Sequence, residues 1–233
     1  MSGLEALVRW EHPELGFLLP GYFIEIAEEG GSLVAIGEWA LRSACAQARE
    51  WLDAGIAFGR VYVNIAHSQV HRGDLHRVTQ RILAETGLPA GHLGLEITEG
   101  VAMEHGAHHI IEELERLKAD GISLAIDDFG TGYSSLSRLK QLPVDQLKID
   151  RSFVRDIGAS RRDLDIVRAI LTLGATLGLE VLAEGIETPD QGALLLAEGC
   201  NFGQGYFYAR PMPPEKLPAW TQGRILASDS GDE

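Results

Sequence analysis

Two adjacent carboxylates, Asp127 and Asp128, follow the apolar run Leu124 to Ile126 and lead into Phe129-Gly-Thr-Gly-Tyr-Ser-Ser135. The arrangement recurs along the chain. Glu5 lies in Leu4–Trp10, Asn64 in Val61–Ile65, Glu96 and Glu99 in Leu93–Glu99, Lys148 in Gln146–Asp150, Glu184 in Leu179–Gly185 and Gln204 in Phe202–Tyr206. Each short apolar segment delivers a polar group. A single acid at such a position reads equally well as a cap or turn residue, and Glu99, Asp150, Asp156 and Glu187 carry no argument one by one. Glu5, Asn64, Glu96, Asp127, Asp128 and Glu184 gain their meaning as a set. Carboxylates ~4 Å apart at an effective dielectric near 20 repel by roughly 4 kcal/mol per pair, so several in one pocket take up protons or recruit cations. Metal binding answers that repulsion most simply.

The elements that must position these groups follow from the intervening sequence. An apolar run such as Leu124 to Ile126 predicts a strand buried on both faces. Between the runs lie amphipathic stretches of helical length, among them Asp74 to Gly87 with Leu75, Val78 and Ile82 inward, and a stretch with Ile110, Leu114 and Leu117 on one face that stops at Gly121. A helix after Ser32 is expected to bury Leu33, Ile36, Ala40, Ala44, Ala48 and Leu52 and to end at Gly55; another runs from about Ser160 to Gly178. Thr188-Pro-Asp-Gln191 matches a capping box with proline at the first helical position. Alternating strands and helices predict parallel strands joined by crossovers, and closing them into a barrel brings the C-terminal strand ends to one mouth. About seven strands are legible, one fewer than a full barrel. The glycines after Asp128 suit a lid or sharp turn over that mouth, and Arg9 is expected on the same strand face as Glu5.

A length of 233 residues fits one large α/β domain, read as 1–227 with a frayed tail at 228–233. The net charge of -14 argues against nucleic acid or anionic membrane as a partner. With neither a membrane-length apolar run nor a signal-peptide pattern, the chain reads as cytoplasmic. Cys45 and Cys200 read as buried reduced thiols, and His67, His71 and the cluster from His105 to His109 as solvated histidines, since nothing else in the sequence completes a zinc set.

Taken together, Glu5-Ala-Leu7 with Arg9, Asn64 in Val-Asn-Ile, Glu96-Ile-Thr-Glu99, Asp127 to Ser135, Leu147-Lys-Ile-Asp150, Ala183-Glu-Gly-Ile-Glu187 and Gln204-Gly-Tyr206 resemble the EAL-domain phosphodiesterases, in order and from Glu5 to about Pro213. The resemblance implies a TIM-like (β/α) barrel that hydrolyses cyclic di-GMP to linear pGpG using two Mg²⁺ or Mn²⁺ ions. Carried over, Glu5, Asn64, Glu96 and Asp127 hold one metal, and Asp127 bridges to the other, shared with Asp128 and Glu184. Lys148 holds the attacking water or the phosphate, Glu187 and Gln204 position water, and Arg9 and Asp128 contact substrate. Glu99 anchors the Phe129–Ser135 loop, which in the family links the metal site to a homodimer interface; sensor or cyclase-like domains commonly precede such a domain.

The sequence departs from the family pattern in three places. Ala66 replaces a usual hydroxyl residue, Glu25 stands where proline is common, and the family's first strand, antiparallel to the rest and some twenty residues before Glu-Ala-Leu, has no counterpart after Met1. One stave of the barrel is thus missing from the pattern: either the sequence is a piece of a longer protein, or the barrel leaves strand edges open beside Glu5. The competing functional reading is a silent module that binds cyclic di-GMP or a protein without hydrolysis.

Overall fold

A computed structural model describes residues 1–104, 108–132 and 136–222. Residues 133–135 of the expected lid loop, His105 and the expected tail lie outside the described residues. Seven strands form one parallel sheet in the order β1 (Gly3–Ala6), β4 (Arg60–Asn64), β5 (Leu93–Thr98), β6 (Ser123–Phe129), β7 (Gln146–Ile149), β8 (Glu180–Ala183) and β9 (Phe202–Gly203). Beyond β1, each strand pairs with the one before it in the sheet, and the sheet curls into an open, TIM-like barrel of the EAL type. Its edges are β1 and β9, which do not pair with each other.

A separate hairpin, β2 (Trp10–His12) and β3 (Gly16–Leu18), follows β1. The sequence reading missed it. The turn is held by His12 Nδ1, which accepts from the backbone N–H groups of Glu14 and Leu15, both at 3.1 Å, and by Gly16 at φ +73°. Because β1 ends at Ala6, Arg9 lies beyond that strand, and the alternation expected to align it with Glu5 does not extend so far.

The helices are α1 (Ile24–Glu29), α2 (Leu33–Asp53), α3 (His67–His71), α4 (Leu75–Thr86), α5 (Glu99–Ala102), α6 (His108–Ala119), α7 (Leu136–Leu139), α8 (Arg151–Arg155), α9 (Arg161–Leu177) and α10 (Pro189–Ala197). Leu75, Val78 and Ile82 of α4 and Ile110, Leu114 and Leu117 of α6 are buried as their spacing predicts. On α2 the buried stripe is rotated to Leu33, Gly37, Leu41, Ala44, Cys45 and Ala48. Gly37 shifts it: a β-carbon there would stand 2.1 Å from Gln69 Oε1, so α3 packs directly onto the α2 backbone. Thr188 Oγ1 accepts from Gln191 N–H, while Gln191 Oε1 accepts from Thr188 N–H, closing the capping box on α10. Among the described residues, no helix is long and apolar enough to cross a membrane.

Alternation along the strands divides side chains between two environments. Val61, Val63, Leu93, Leu95, Ile97, Leu124, Ile126, Leu147 and Ile149 enter the core between sheet and helices. The opposite face lines the barrel. Its lower layer holds the Tyr62 ring against Gly3 and Gly94, where a β-carbon on Gly94 would stand 2.3 Å from the ring. The layer above carries the polar groups.

The acidic mouth and its lysine

Register brings the polar groups together. Asn64 pairs with Glu96 and Thr98 with Asp127 across β4, β5 and β6, and Lys148 sits on β7 beside them. Between β6 and β7 the register shifts: Ile126 pairs with Leu147 and Phe129 with Ile149, leaving Asp127 and Asp128 opposite Lys148 alone. This is a β-bulge, and Asp128 takes the left-handed φ of +54°. Neighbouring strand residues ordinarily face opposite ways; here the bulge leaves ligand atoms of Asp127, Asp128 and Glu184 all within 4.8 Å of one another.

Lys148 is 1% exposed and stands at the centre. Its Nζ lies 2.7 Å from Glu184 Oε1, 2.8 Å from Glu96 Oε2, 3.1 Å from Asp127 Oδ1 and 3.9 Å from Glu5 Oε2. These contacts are close but poorly directed, so Lys148 Nζ, Glu96 Oε2 and Asp127 Oδ1 are buried without a directed hydrogen bond. Burial alone pulls the ammonium's pKa down, but Glu96, Glu5, Glu184 and Asp127 outweigh it and keep the lysine charged.

Five carboxyl groups face this one ammonium. Burial pushes Glu96 up to about 8 against the pull of Lys148, and Glu184 up to about 7 for the same reason. Burial, Asp127 and Asp150 push Asp128 up to about 6. Protons thus offset the surplus negative charge. Hard divalent cations suit the same oxygen donors, and buried oxygens without directed bonds are the groups such ions would engage. The residues present therefore fit divalent cations, with Asp127, Asp128 and Glu184 the carboxylates whose ligand atoms stand closest together.

The remaining predicted residues have definite places. Asn64 Nδ2 donates to Glu5 Oε1 at 2.8 Å, and Gln204 Nε2 donates to Glu5 Oε2. Glu99, 3% exposed, accepts from the N–H groups of Gly130 at 2.9 Å and Gly132 at 3.2 Å. Arg9 donates to the Val8 carbonyl, and Glu187 is exposed in the segment after β8, its N–H bonded to Gln191 Oε1; neither side chain touches the acids. Both line a cleft of about 870 Å³ that opens between β1 and β9 and reaches Glu5, Glu96, Asp127 and Glu184. Ala66 has no hydroxyl with which to cap α3, and its N–H instead donates to Gln69 Oε1 at 3.1 Å. From its sequence position Asp150 reads as a cap or turn residue. It does cap α8, accepting from Ser152 N–H at 3.0 Å, and it also bears on Asp128.

A sequence model of the family described as "EAL domain" matches residues 1–211. The chain belongs to the EAL domain family. The EAL domain is 46% identical over 219 residues to the "Bifunctional diguanylate cyclase/cyclic di-GMP phosphodiesterase MucR" of Pseudomonas aeruginosa, covering 94% of this chain and 32% of that protein. It is 47% identical over 210 residues to the "Cyclic di-GMP phosphodiesterase NbdA" of the same organism, covering 90% of this chain and 27% of that one. Among solved structures, "PaMucR Phosphodiesterase, c-di-GMP complex" superposes with a TM-score of 0.89 at 46% identity, over 93% of this EAL domain and 87% of that chain. The EAL domain thus spans about a third or less of the length of these curated relatives.

Proposed function

We propose that this EAL domain is a metal-dependent phosphodiesterase that hydrolyses cyclic di-GMP to linear pGpG. The observation that carries the reading is the convergence of Asp127, Asp128 and Glu184 within 4.8 Å, beside Glu5, Glu96, Asn64 and a buried lysine at one barrel mouth. The relatives named for cyclic di-GMP phosphodiesterase activity, and the related structure named as a c-di-GMP complex, support the substrate.

Two divalent cations, Mg²⁺ or Mn²⁺, would be held by Glu5, Asn64, Glu96, Asp127, Asp128 and Glu184, and would supply a lowered water pKa and charge neutralisation at the phosphodiester. The chain's own groups do the rest. Lys148, held charged by its carboxylates, is a fixed cation suited to a phosphate oxygen or to orienting the attacking water, and a poor proton acceptor. Gln204 and Asn64 hold the Glu5 carboxylate between them, fixing its orientation. Glu99 fixes the Gly130–Gly132 backbone just beyond Asp128. Arg9 and Glu187 flank the cleft through which a dinucleotide would enter, Arg9 as a phosphate contact and Glu187 as a water-positioning group. A homodimer, a cytoplasmic setting and sensor or cyclase-like domains upstream belong to the same reading; the relatives, of which the domain spans about a third or less, support the further domains.

The test is hydrolysis of cyclic di-GMP by the purified chain with Mg²⁺ or Mn²⁺, followed as pGpG, beside Asp127→Asn. Turnover that vanishes in the variant is expected. A folded protein that binds cyclic di-GMP without turning it over would overturn the reading in favour of a binding module.

A further inference from the structure

A second convergence of ligating groups lies outside the acidic mouth. His67 and His71 are the first and last residues of α3, four apart, a spacing that sets two side chains on one helix face. Glu104, more than thirty positions later, comes from the segment after α5 and meets both. Its Oε2 lies 3.2 Å from His67 Nε2 and 2.6 Å from His71 Nε2. The two imidazoles stand with centroids 4.0 Å apart and planes 34° apart, and His109 approaches His71 edge-on at 5.6 Å. Two nitrogens and one oxygen from separate segments therefore point at a single locus.

We propose that His67, His71 and Glu104 form a transition-metal site suited to Zn²⁺. Two imidazole nitrogens and one carboxylate oxygen are a known three-residue zinc donor set, leaving a fourth position to water. Tetrahedral ligands ~2.0–2.2 Å from zinc stand roughly 3.4 Å from each other. The His67–Glu104 separation already matches, and the His71–Glu104 separation must widen by less than about 1 Å, within reach of a rotamer adjustment at the surface. The side chains are 54%, 29% and 39% exposed, so an ion has direct access from solvent.

The donor chemistry separates this site from the mouth. Imidazole prefers zinc, nickel, cobalt and copper ions, whereas the all-oxygen mouth suits Mg²⁺ and Mn²⁺. Its position also has a consequence. Helix α3 follows Asn64 with only two residues between, and α5 begins at Glu99, which holds Gly130 and Gly132. An ion at His67, His71 and Glu104 would tie these segments together at the rim of the mouth. The inference does not depend on the phosphodiesterase reading.

The experiment is a titration of the full chain with Co²⁺, a spectroscopic stand-in for Zn²⁺, in excess Mg²⁺ to occupy the oxygen site. One Mg²⁺-resistant equivalent with visible d–d absorption is expected, displaced by Zn²⁺. Affinity should fall at least tenfold in His67→Ala and in His71→Ala, and also fall in Glu104→Gln. Nitrogen-15 spectra of the histidine rings supply a readout that needs no variant: Zn²⁺ should move the His67 and His71 Nε2 resonances and leave those of His76 and His92 in place. Absence of Mg²⁺-resistant cobalt binding, binding unchanged in both histidine variants, or zinc shifts confined to other rings would overturn the site.

Discussion

Gln204 Nε2 donates a hydrogen bond to Glu5 Oε2, so side chains from the last and first ends of the sheet meet although β9 and β1 share no backbone ladder. The open side of the barrel is bridged at the level of the acids by this contact. Gln204→Ala leaves the half-buried Glu5 carboxylate short of a donor, at a cost of about 1–3 kcal/mol. A urea midpoint lowered accordingly is expected, together with reduced turnover. An unchanged midpoint would show that the bridge carries no weight.

Lys148 is a single cation shared by four carboxylates. Lys148→Met should destabilise the metal-free protein by about 3 kcal/mol, the lower end for stripping one partner from buried ion pairs, because Glu96 and Glu184 can take protons instead. Mn²⁺ should restore part of that stability without restoring hydrolysis. Denaturant titrations with and without Mn²⁺ check both; hydrolysis that survives the substitution would remove Lys148 from the chemistry.

Chelation should abolish hydrolysis, and Mg²⁺ or Mn²⁺ should return it. Glu96→Gln and Asp127→Asn keep the shape of each side chain and remove its charge, and each is expected to lower turnover at least a hundredfold and to weaken metal binding in calorimetry. Turnover in the presence of chelator would dispose of the metal-dependent reading.

Glu99 is a buried acceptor for two backbone N–H groups beyond Asp128, and hydrogen bonds to a charged group are worth roughly 1.5–3 kcal/mol. Glu99→Gln should loosen that segment, speeding amide exchange at Gly130 and Gly132 and lowering turnover about tenfold or more. Gly132→Ala should act in the same direction, since its β-carbon would stand 3.1 Å from Glu99 Oε1. Normal exchange and turnover in both would disconnect the segment from the site.

Cys45 is fully buried, and desolvation pushes its thiol up to about 12. In the unfolded chain the thiol ionises near 9, so between about 9 and 12 the unfolded form releases protons that the folded form retains, and stability falls as pH rises through that window. Cys45→Ala should flatten this limb of the pH–stability curve. Thiol reagents at pH 8 should modify Cys45 and the buried Cys200 slowly until denaturant is added; fast modification of the native protein would contradict their burial.

Much of the fold was legible because local periodicity and burial agree. The spacing of Leu75, Val78 and Ile82, and of Ile110, Leu114 and Leu117, names one helix face that packing then uses. The α2 stripe failed where local pattern and packing part company. Gly37 carries no hydrophobic signal, yet it is buried because Gln69 needs the space. The β2–β3 hairpin escaped because its strands are three residues long, too short for alternation to register. His67 and His71 read as solvated residues, and each is partly exposed, but no local rule brings Glu104 between them from a segment more than thirty residues away.

The sequence by itself determined the family, the parallel strand-and-helix order and the residue types gathered at the strand ends, because each is a local pattern repeated in order along the chain. Tertiary structure decided how those residues act on one another. Alternation would send Asp127 and Asp128 to opposite faces; a bulge opposite Lys148, with Asp128 at positive φ, leaves their carboxylates close together. Whether a lysine among acids is a surface ion pair or a buried cation likewise depends on strands far apart in sequence. Register and burial are set by the whole sheet, and they make Lys148 the cation shared by Glu5, Glu96, Asp127 and Glu184.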